Sequence, residues 1–234
     1  MQFGPLEKSR TLSDQAMDML VEAILRGDME PGERIAEATL ARKLGISRGP
    51  LREAISRLEG KSLLVRKPHV GVSVASPSPE EILEVFQMRE VLEGLACRMA
   101  VQHMTGIELD RLERILGDHS THSDLQDGRA YYQSSGDFDF HYQIIVASRS
   151  KRLIDTLLGD LYQFIRIFRY RASAKPGRAQ KAFREHMLIL EALKARDPVA
   201  AEAAMRAHIA RATETLRTAL QEHRDPRDDL RASA

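Results

Sequence analysis

Apolar residues recur at helical spacing from Leu12 to Leu25, and Gly27 closes that run. A turn, Glu30-Pro31-Gly32-Glu33, follows it. From Leu40 to Leu64 the chain reads LARKLGISRGPLREAISRLEGKSLL, two helical patterns joined at Gly45. Glycine suits the left-handed backbone that ends a helix. Ser47 is placed to cap the second helix, and Pro50 falls in its first turn, where N–H groups have no helical partner. Leu51, Ala54, Ile55 and Leu58 form the stripe to be buried, with Ile35, Leu40 and Leu44 expected beneath it. Arg48, Arg52 and Arg57 lie off the stripe. Two short strands, Leu63–Arg66 and Val70–Val74, flank Lys67-Pro68-His69. Helix, glycine turn, arginine-bearing helix and β-wing make a winged helix-turn-helix, whose second helix addresses the DNA major groove.

Ser76-Pro77-Ser78-Pro79 breaks the pattern and marks a domain boundary. Ser78 can cap the next helix, with Pro79 at its first position and Glu81 completing a capping box. Beyond it every segment has helical period and none alternates like a strand. One helix is expected over 80–103, carrying Ile82, Phe86, Leu92, Leu95 and Met99 inward. A second opens with Thr105 and Glu108 and buries Leu109, Leu112, Ile115 and Leu116. Further helices are expected over 137–147, 150–171, 178–196 and 198–221. The expected fold is mostly α: a winged helix-turn-helix over 9–76 and an all-helical bundle over 77–222. Residues 1–8 and the polar tail, 223–234, carry no pattern and are expected to be disordered.

Composition narrows this picture. A chain of 234 residues, 43% apolar and 29% charged, holds two ordinary soluble domains. It has neither a membrane-spanning apolar run nor a signal-peptide core, so a cytoplasmic protein without a membrane partner is expected. Cys97, the single cysteine, sits in a helical apolar pattern and reads as a buried thiol. Net charge is only +1, but Arg42 to Lys67 holds eight basic residues against Glu53 and Glu59. A compact basic patch is what phosphate binding requires.

The helical part carries one constellation of potential ligands. Asp137 and His141 are four residues apart, which places them on one helix face. His186 is in phase with Phe183, Leu190 and Leu193, and His208 with Ala201, Ala204, Met205 and Ala212. Any one such histidine is ordinarily a core residue. Three inward histidines and a carboxylate suit zinc, nickel, manganese or iron, and helical bundles build metal sites this way. Asp139 is expected off the ligand face, in solvent or as an acceptor behind a ligand. His103, His119, His122 and His223 read as surface residues. Arg89 falls on an inner face and needs an anion, either a carboxylate such as Glu93 or Asp139 or that of a small ligand. Arg166, Arg169 and Tyr170 are weaker candidates for the same pocket.

The stretch from Leu12 to Ala75, densest in MEPGERI and LARKLGISRGPLREAISRLE, resembles the DNA-binding domain of the GntR family of bacterial transcription regulators. The helical part, about 79–220, resembles the FCD effector domain of the FadR subfamily. The resemblance implies a homodimer on a pseudo-palindromic double-stranded operator. It implies that Arg48 and Arg52 read base edges or grip phosphate and that Ser47 touches phosphate. Arg57 and Lys67 belong to the same basic face, and His69 with Gly71 would bring the wing to the minor groove. Gly49 stands where threonine is commoner, which puts that contact in doubt. For the helical domain it implies Asp137, His141, His186 and His208 as ligands of a divalent metal, and Arg89 as the grip on a small organic acid. A non-enzymatic regulator is expected. The alternatives are a metal-dependent enzyme acting on a small carboxylate, since such a site can activate water, or a DNA binder with a purely structural metal.

Overall fold

The computed structural model describes residues 10–222. The expectations for 1–8, for the tail from 223 and for His223 lie outside them. The chain forms two compact units that part between Ser76 and Pro77.

In the first unit α1 spans Leu12–Arg26. It opens on a capping box between Thr11 and Asp14 and ends at Gly27 in the left-handed region. Helix α2, Glu37–Leu44, ends at Gly45 with φ 65°, and α3 runs Arg48–Glu59. Ser47 holds the N-cap position of α3, but its hydroxyl makes no cap hydrogen bond. Leu51, Ala54, Ile55 and Leu58 are fully buried, and α3 packs on α1. Truncating such a leucine to alanine costs about 2–5 kcal/mol, so this stripe fixes the pose of α3. Leu40 and Leu44 are only half-buried. The wing strands are β2, Leu64–Lys67, and β3, Gly71–Val74. A two-residue strand not foreseen from the sequence, β1 (Arg34–Ile35), pairs with the far edge of β3. The sheet order is β1-β3-β2, antiparallel throughout, with Leu64 opposite Val74 and Lys67 opposite Gly71.

The second unit is helical. Helix α4, Pro79–His103, begins with the Ser78–Glu81 capping box. Helix α5, Gly106–Ser120, begins with that of Thr105 and Glu108. A short α6, Ser123–Gln126, precedes α7, Phe140–Ala147. Then come α8 (Lys151–Ile154), α9 (Tyr162–Ser173), α10 (Arg178–Lys194) and α11 (Pro198–Glu222). The long α4 and α11 pack along each other, with α10 on α11. One core, including Leu112, Phe140, Ile144, Ile189 and Met205, joins α5, α7, α10 and α11.

Three expectations need correction. The single helix over 150–171 is interrupted: residues 155–160 widen into a π-helical turn, closed by Leu161 N–H donating to the Thr156 carbonyl five residues back. The helix expected from residue 137 starts only at Phe140. Gly136–Phe138 is a 3-10 turn, because Asp139 caps α7 by accepting from the His141 and Tyr142 N–H groups. Leu95 is 41% exposed rather than inward. The inner face of α4 runs instead through Phe86, Arg89, Glu93 and Cys97.

Candidate functional site

Two sites emerge, one in each unit. In the first, the recognition helix and wing present Ser47, Arg48, Gly49, Arg52, Arg57, Lys67, His69 and Gly71 as exposed residues. They are not equally free. Arg52 Nε donates to Glu37 at 3.0 Å and Arg57 Nη1 to Asp14 at 2.7 Å. The Arg57 and Thr11 hydrogen bonds hold the Asp14 carboxyl down to about 2. Arg48 has no ion-pair partner among the described residues, so its guanidinium is uncommitted at the start of α3. At the wing tip Val70 N–H donates to the Lys67 carbonyl at 3.1 Å. His69 (φ 62°) and Gly71 (φ 104°) both take left-handed backbone, a region that few residues other than glycine adopt, histidine more readily than most.

In the second unit His141 from α7, His186 from α10 and His208 from α11 meet in the core, each at most 2% exposed. Their Nε2 atoms converge: His141 to His186 at 3.0 Å and His186 to His208 at 3.2 Å. Each Nδ1 has its own anchor. His141 Nδ1 lies 2.6 Å from Glu93 Oε2, and His208 Nδ1 lies 2.7 Å from Glu185 Oε2. A carboxylate only accepts, so both Nδ1 atoms carry the proton. His186 Nδ1 meets the Tyr131 hydroxyl at 2.9 Å, and that hydroxyl meets His119 Nδ1 at 3.0 Å. His119 Nε2 donates to the Phe138 carbonyl at 3.1 Å, which leaves its Nδ1 an acceptor. Tyr131 therefore donates to His119 and accepts from His186.

The Nε2 lone pairs of His141 and His208 thus both face that of His186, with Arg89 Nη2 at the edge of reach, 3.5 Å from His141 Nε2. Protonation does not relieve them, because burial pushes every ring toward the neutral form. His208 falls to about 3, and His186 falls well below its ordinary value. Burial likewise lowers His141. Burial pushes the Glu93 carboxyl up, but Arg89 and His141 outweigh it and keep Glu93 ionised. Three facing lone pairs call for a cation. Nitrogens bound at about 2.0–2.1 Å to one divalent ion stand about 3.0–3.4 Å apart, the spacing of His186 Nε2 from the other two. The donor set fits a transition metal, and each imidazole has the outer hydrogen bond that orients a ligand.

The other sequence-predicted residues fall in different places. Asp137 is not brought to the trio: it is exposed in the 3-10 turn, with Arg111 Nη2 at 3.2 Å from its Oδ2. Asp139 is not in solvent. It is fully buried, accepting from both Arg169 Nη atoms, at 2.5 and 3.2 Å, and from Tyr162. Burial would raise its carboxyl, and Arg169 reverses the shift. Arg89 is fully buried, with Nε on Glu93 Oε1 at 2.5 Å and Nη2 3.3 Å from His141 Nδ1, and its Nη1 has no hydrogen-bond partner. His119 is buried rather than superficial, and His103 Nδ1 is 3.0 Å from the Ser148 carbonyl. The sequence reading missed Tyr131 and Glu185 as anchors, and it missed Arg178. Arg178 lines a small cavity against His186 and His208 together with Gln133, Arg169 and Ser173.

A winged helix-turn-helix with an uncommitted arginine on its second helix, joined to a bundle that buries a histidine trio, defines a DNA-binding regulator with a ligand-holding domain. Residues 12–74 match the family model of bacterial regulatory proteins, gntR family, and residues 84–211 match that of the FCD domain. The chain belongs to the GntR family, a transcriptional regulator with an FCD effector-binding domain, an architecture consistent with the FadR subfamily. It is 30% identical over 224 residues to the HTH-type transcriptional regulator YdhC of Bacillus subtilis (strain 168), covering 94% of this chain and 97% of that one. It is 28% identical to a probable D-xylose utilization operon transcriptional repressor of Paenarthrobacter nicotinovorans, over 86% of each chain. Among solved structures, E. coli McbR/YncC shares the fold at a TM-score of 0.69 and 22% identity, over 92% of this chain and 99% of that one. Among the described residues no helix is long and apolar enough to cross a membrane.

Proposed function

We propose that the protein is a homodimeric repressor or activator whose affinity for a pseudo-palindromic operator is set by a small organic acid bound at a metal in the helical domain. One observation carries the metal reading: three buried Nε2 lone pairs converge, and each ring is locked in the ligating tautomer from behind. His141, His186 and His208 hold the ion. Asp137 is the fourth ligand of the loaded site. Its present pair with Arg111 is exposed on both sides, and such pairs contribute at most about 1 kcal/mol, a weak tether against a divalent cation. The bound metal would supply Lewis acidity toward a carboxylate, and Arg89, with Nη2 beside His141 and Nη1 unpartnered, grips the same anion. Zinc, nickel, manganese and iron all suit this donor set.

On the DNA side Arg48 and Arg52 enter the major groove. Ser47, Gly49 and Arg57 approach phosphate, while Lys67, His69 and Gly71 carry the wing to the minor groove. One recognition helix reads only a few base pairs, so two half-sites are needed. Met88, Val91 and Leu95, each at least 41% exposed on one stripe of α4, support a two-fold contact there. The acid moves operator affinity only through its differential affinity for the two states of the dimer.

The test begins with the full chain purified without chelator and its metal content measured. An operator is then selected from random duplexes and used in gel shifts with and without organic acids and chelator. A bound divalent metal, a dimer on DNA and an acid-dependent shift are expected. The metal reading is overturned by protein that carries no metal and whose melting temperature ignores both chelator and added divalent ions. The regulator reading is overturned by the absence of any preferred duplex.

A further inference from the structure

Arg178 is left over by the reading above. It opens α10 directly after Gly177, and only 7% of its side chain is exposed. Its Nη2 donates to Glu185 Oε2 at 2.8 Å and to the His208 carbonyl at 3.4 Å. Its Nε and Nη1 are buried and have no hydrogen-bond partner. Buried cationic donors without acceptors are costly, and they mark a place for an anion.

The residue stands between two spaces. On its inner side lies the cavity against His186 and His208, about 20 Å3, room for one small polar group. On its outer side an open cleft of about 340 Å3 is lined by Arg178, Lys181 and Arg211 against Glu185 and Glu214. Glu214 is turned to Arg217 at 2.9 Å, so the cleft favours anions. Arg178 and the ligating His208 are separated by a single oxygen: Glu185 Oε2 accepts from Arg178 Nη2 at 2.8 Å and from His208 Nδ1 at 2.7 Å.

We propose that Arg178 anchors one carboxylate of a short dicarboxylate that enters through this cleft, while its other carboxylate reaches the metal. This rests on the metal-bearing regulator reading above. The small inner cavity excludes a bulky acid, and the cationic cleft favours a second negative charge over a neutral tail.

Calorimetric titration of metal-loaded full-length protein with acetate, oxalate, malonate and succinate tests this. At least one dicarboxylate should bind more than tenfold tighter than acetate. Arg178→Met, loaded with metal to the wild-type content, should lose that advantage by tenfold or more while still binding acetate. Arg178→Lys, which keeps the charge but loses the planar fork, should weaken the dicarboxylate at least threefold and stands in if the methionine variant misfolds. Wild type that ranks no dicarboxylate above acetate overturns the proposal, as do variants that bind the preferred dicarboxylate like wild type. In either case, retained metal and a DNA response to some other acid leave the regulator reading intact. Protein without metal overturns the metal reading itself, and this proposal with it.

Discussion

Replacing Tyr131 by phenylalanine isolates the locking of His186. The ring stays, with its edge-on contact to Phe183 at 6.0 Å, so apolar packing is kept. Only the hydroxyl goes, and with it two buried hydrogen bonds, at 2.9 Å to His186 and 3.0 Å to His119. Each leaves one buried partner unpaired, at about 1–3 kcal/mol apiece, so the metal-free fold should lose about 2–6 kcal/mol. At about 2–4 °C per kcal/mol for a domain of this size, that lowers the melting temperature by at least about 4 °C. His186 loses more than stability. Without an acceptor at Nδ1 its proton moves readily to Nε2, the atom that must bind the ion. Lost outer partners of metal-bound histidines weaken binding about 10–100-fold, or about 1.4–2.8 kcal/mol. Competition against a coloured chelator at pH 7 reads that loss directly. Glu185→Gln is the matched control: it removes a charge but keeps an oxygen acceptor for His208 Nδ1, and should weaken the metal less. If Tyr131→Phe melts lower yet binds metal as tightly as wild type, the hydroxyl is only structural and the tautomer reasoning fails.

Asp137→Asn should reduce metal affinity about tenfold without unfolding the chain, because the residue is exposed; equal affinity would show that the three histidines hold the ion alone. Val91→Glu combined with Met88→Glu, on the exposed stripe of α4, should give a monomer in sedimentation, whereas a persistent dimer would move the two-fold contact elsewhere. Arg48→Ala should weaken the selected operator by about 1–3 kcal/mol in gel shift and random DNA by less, and equal losses would reduce Arg48 to a phosphate contact. Asp14 has an ordinary value of 3.8 and is held down to about 2 in the fold, so the unfolded chain takes up its proton first. The stability it contributes is complete above pH 3.8 and is lost as pH falls toward 2; Asp14→Asn should flatten this part of the urea-unfolding profile, and an unchanged profile would refute the Arg57 link.

The legible parts of this chain were those set by local chemistry. Gly45 ends a helix for reasons of its own backbone, and Leu51 to Leu58 bury because they repeat every turn. The capping boxes at Ser78 and Thr105 are four-residue devices, and both formed where their residues stand. The inward phase of His186 and His208 also followed from neighbours on the same helix. What the sequence hid was decided at a distance. DFDFH offers two carboxylates, either of which could start a helix. Asp139 takes the cap, and Arg169, thirty residues on, meets its charge. His119 looks superficial until the loop carrying Tyr131 and Phe138 folds over it, and that loop has no period to read. Arg178, first in its helix after Pro-Gly, is buried by partners its own neighbours do not announce: Glu185 two turns ahead and the His208 carbonyl of another helix. The break at 155–160 has only Gly159 to announce it, and one glycine costs a helix only about 1 kcal/mol.

The polar centre is poorly explained as a device for stability. Three neutral imidazoles, two ionised glutamates and two buried guanidiniums occupy volume that leucine or phenylalanine would fill at a gain of about 1.5–3 kcal/mol each. Arg89 and Arg178 keep unsatisfied donors, and the Nε2 lone pairs face one another. On the function proposed above, each of these costs would be lifted by the same event, a cation among the imidazoles and an anion against the arginines. A fold that is less stable without its ligands gains more when they bind, and the gain grows with ligand concentration by mass action. That is the free energy a regulator needs. In the proposed regulator, the part that differs between the DNA-competent and incompetent dimers would become the change in operator affinity. Glu93 and Glu185 are each fixed between an arginine and a histidine, which suits them to orient ligands. Such an arrangement is suited to holding ligands, and holding is what the proposed sensing requires.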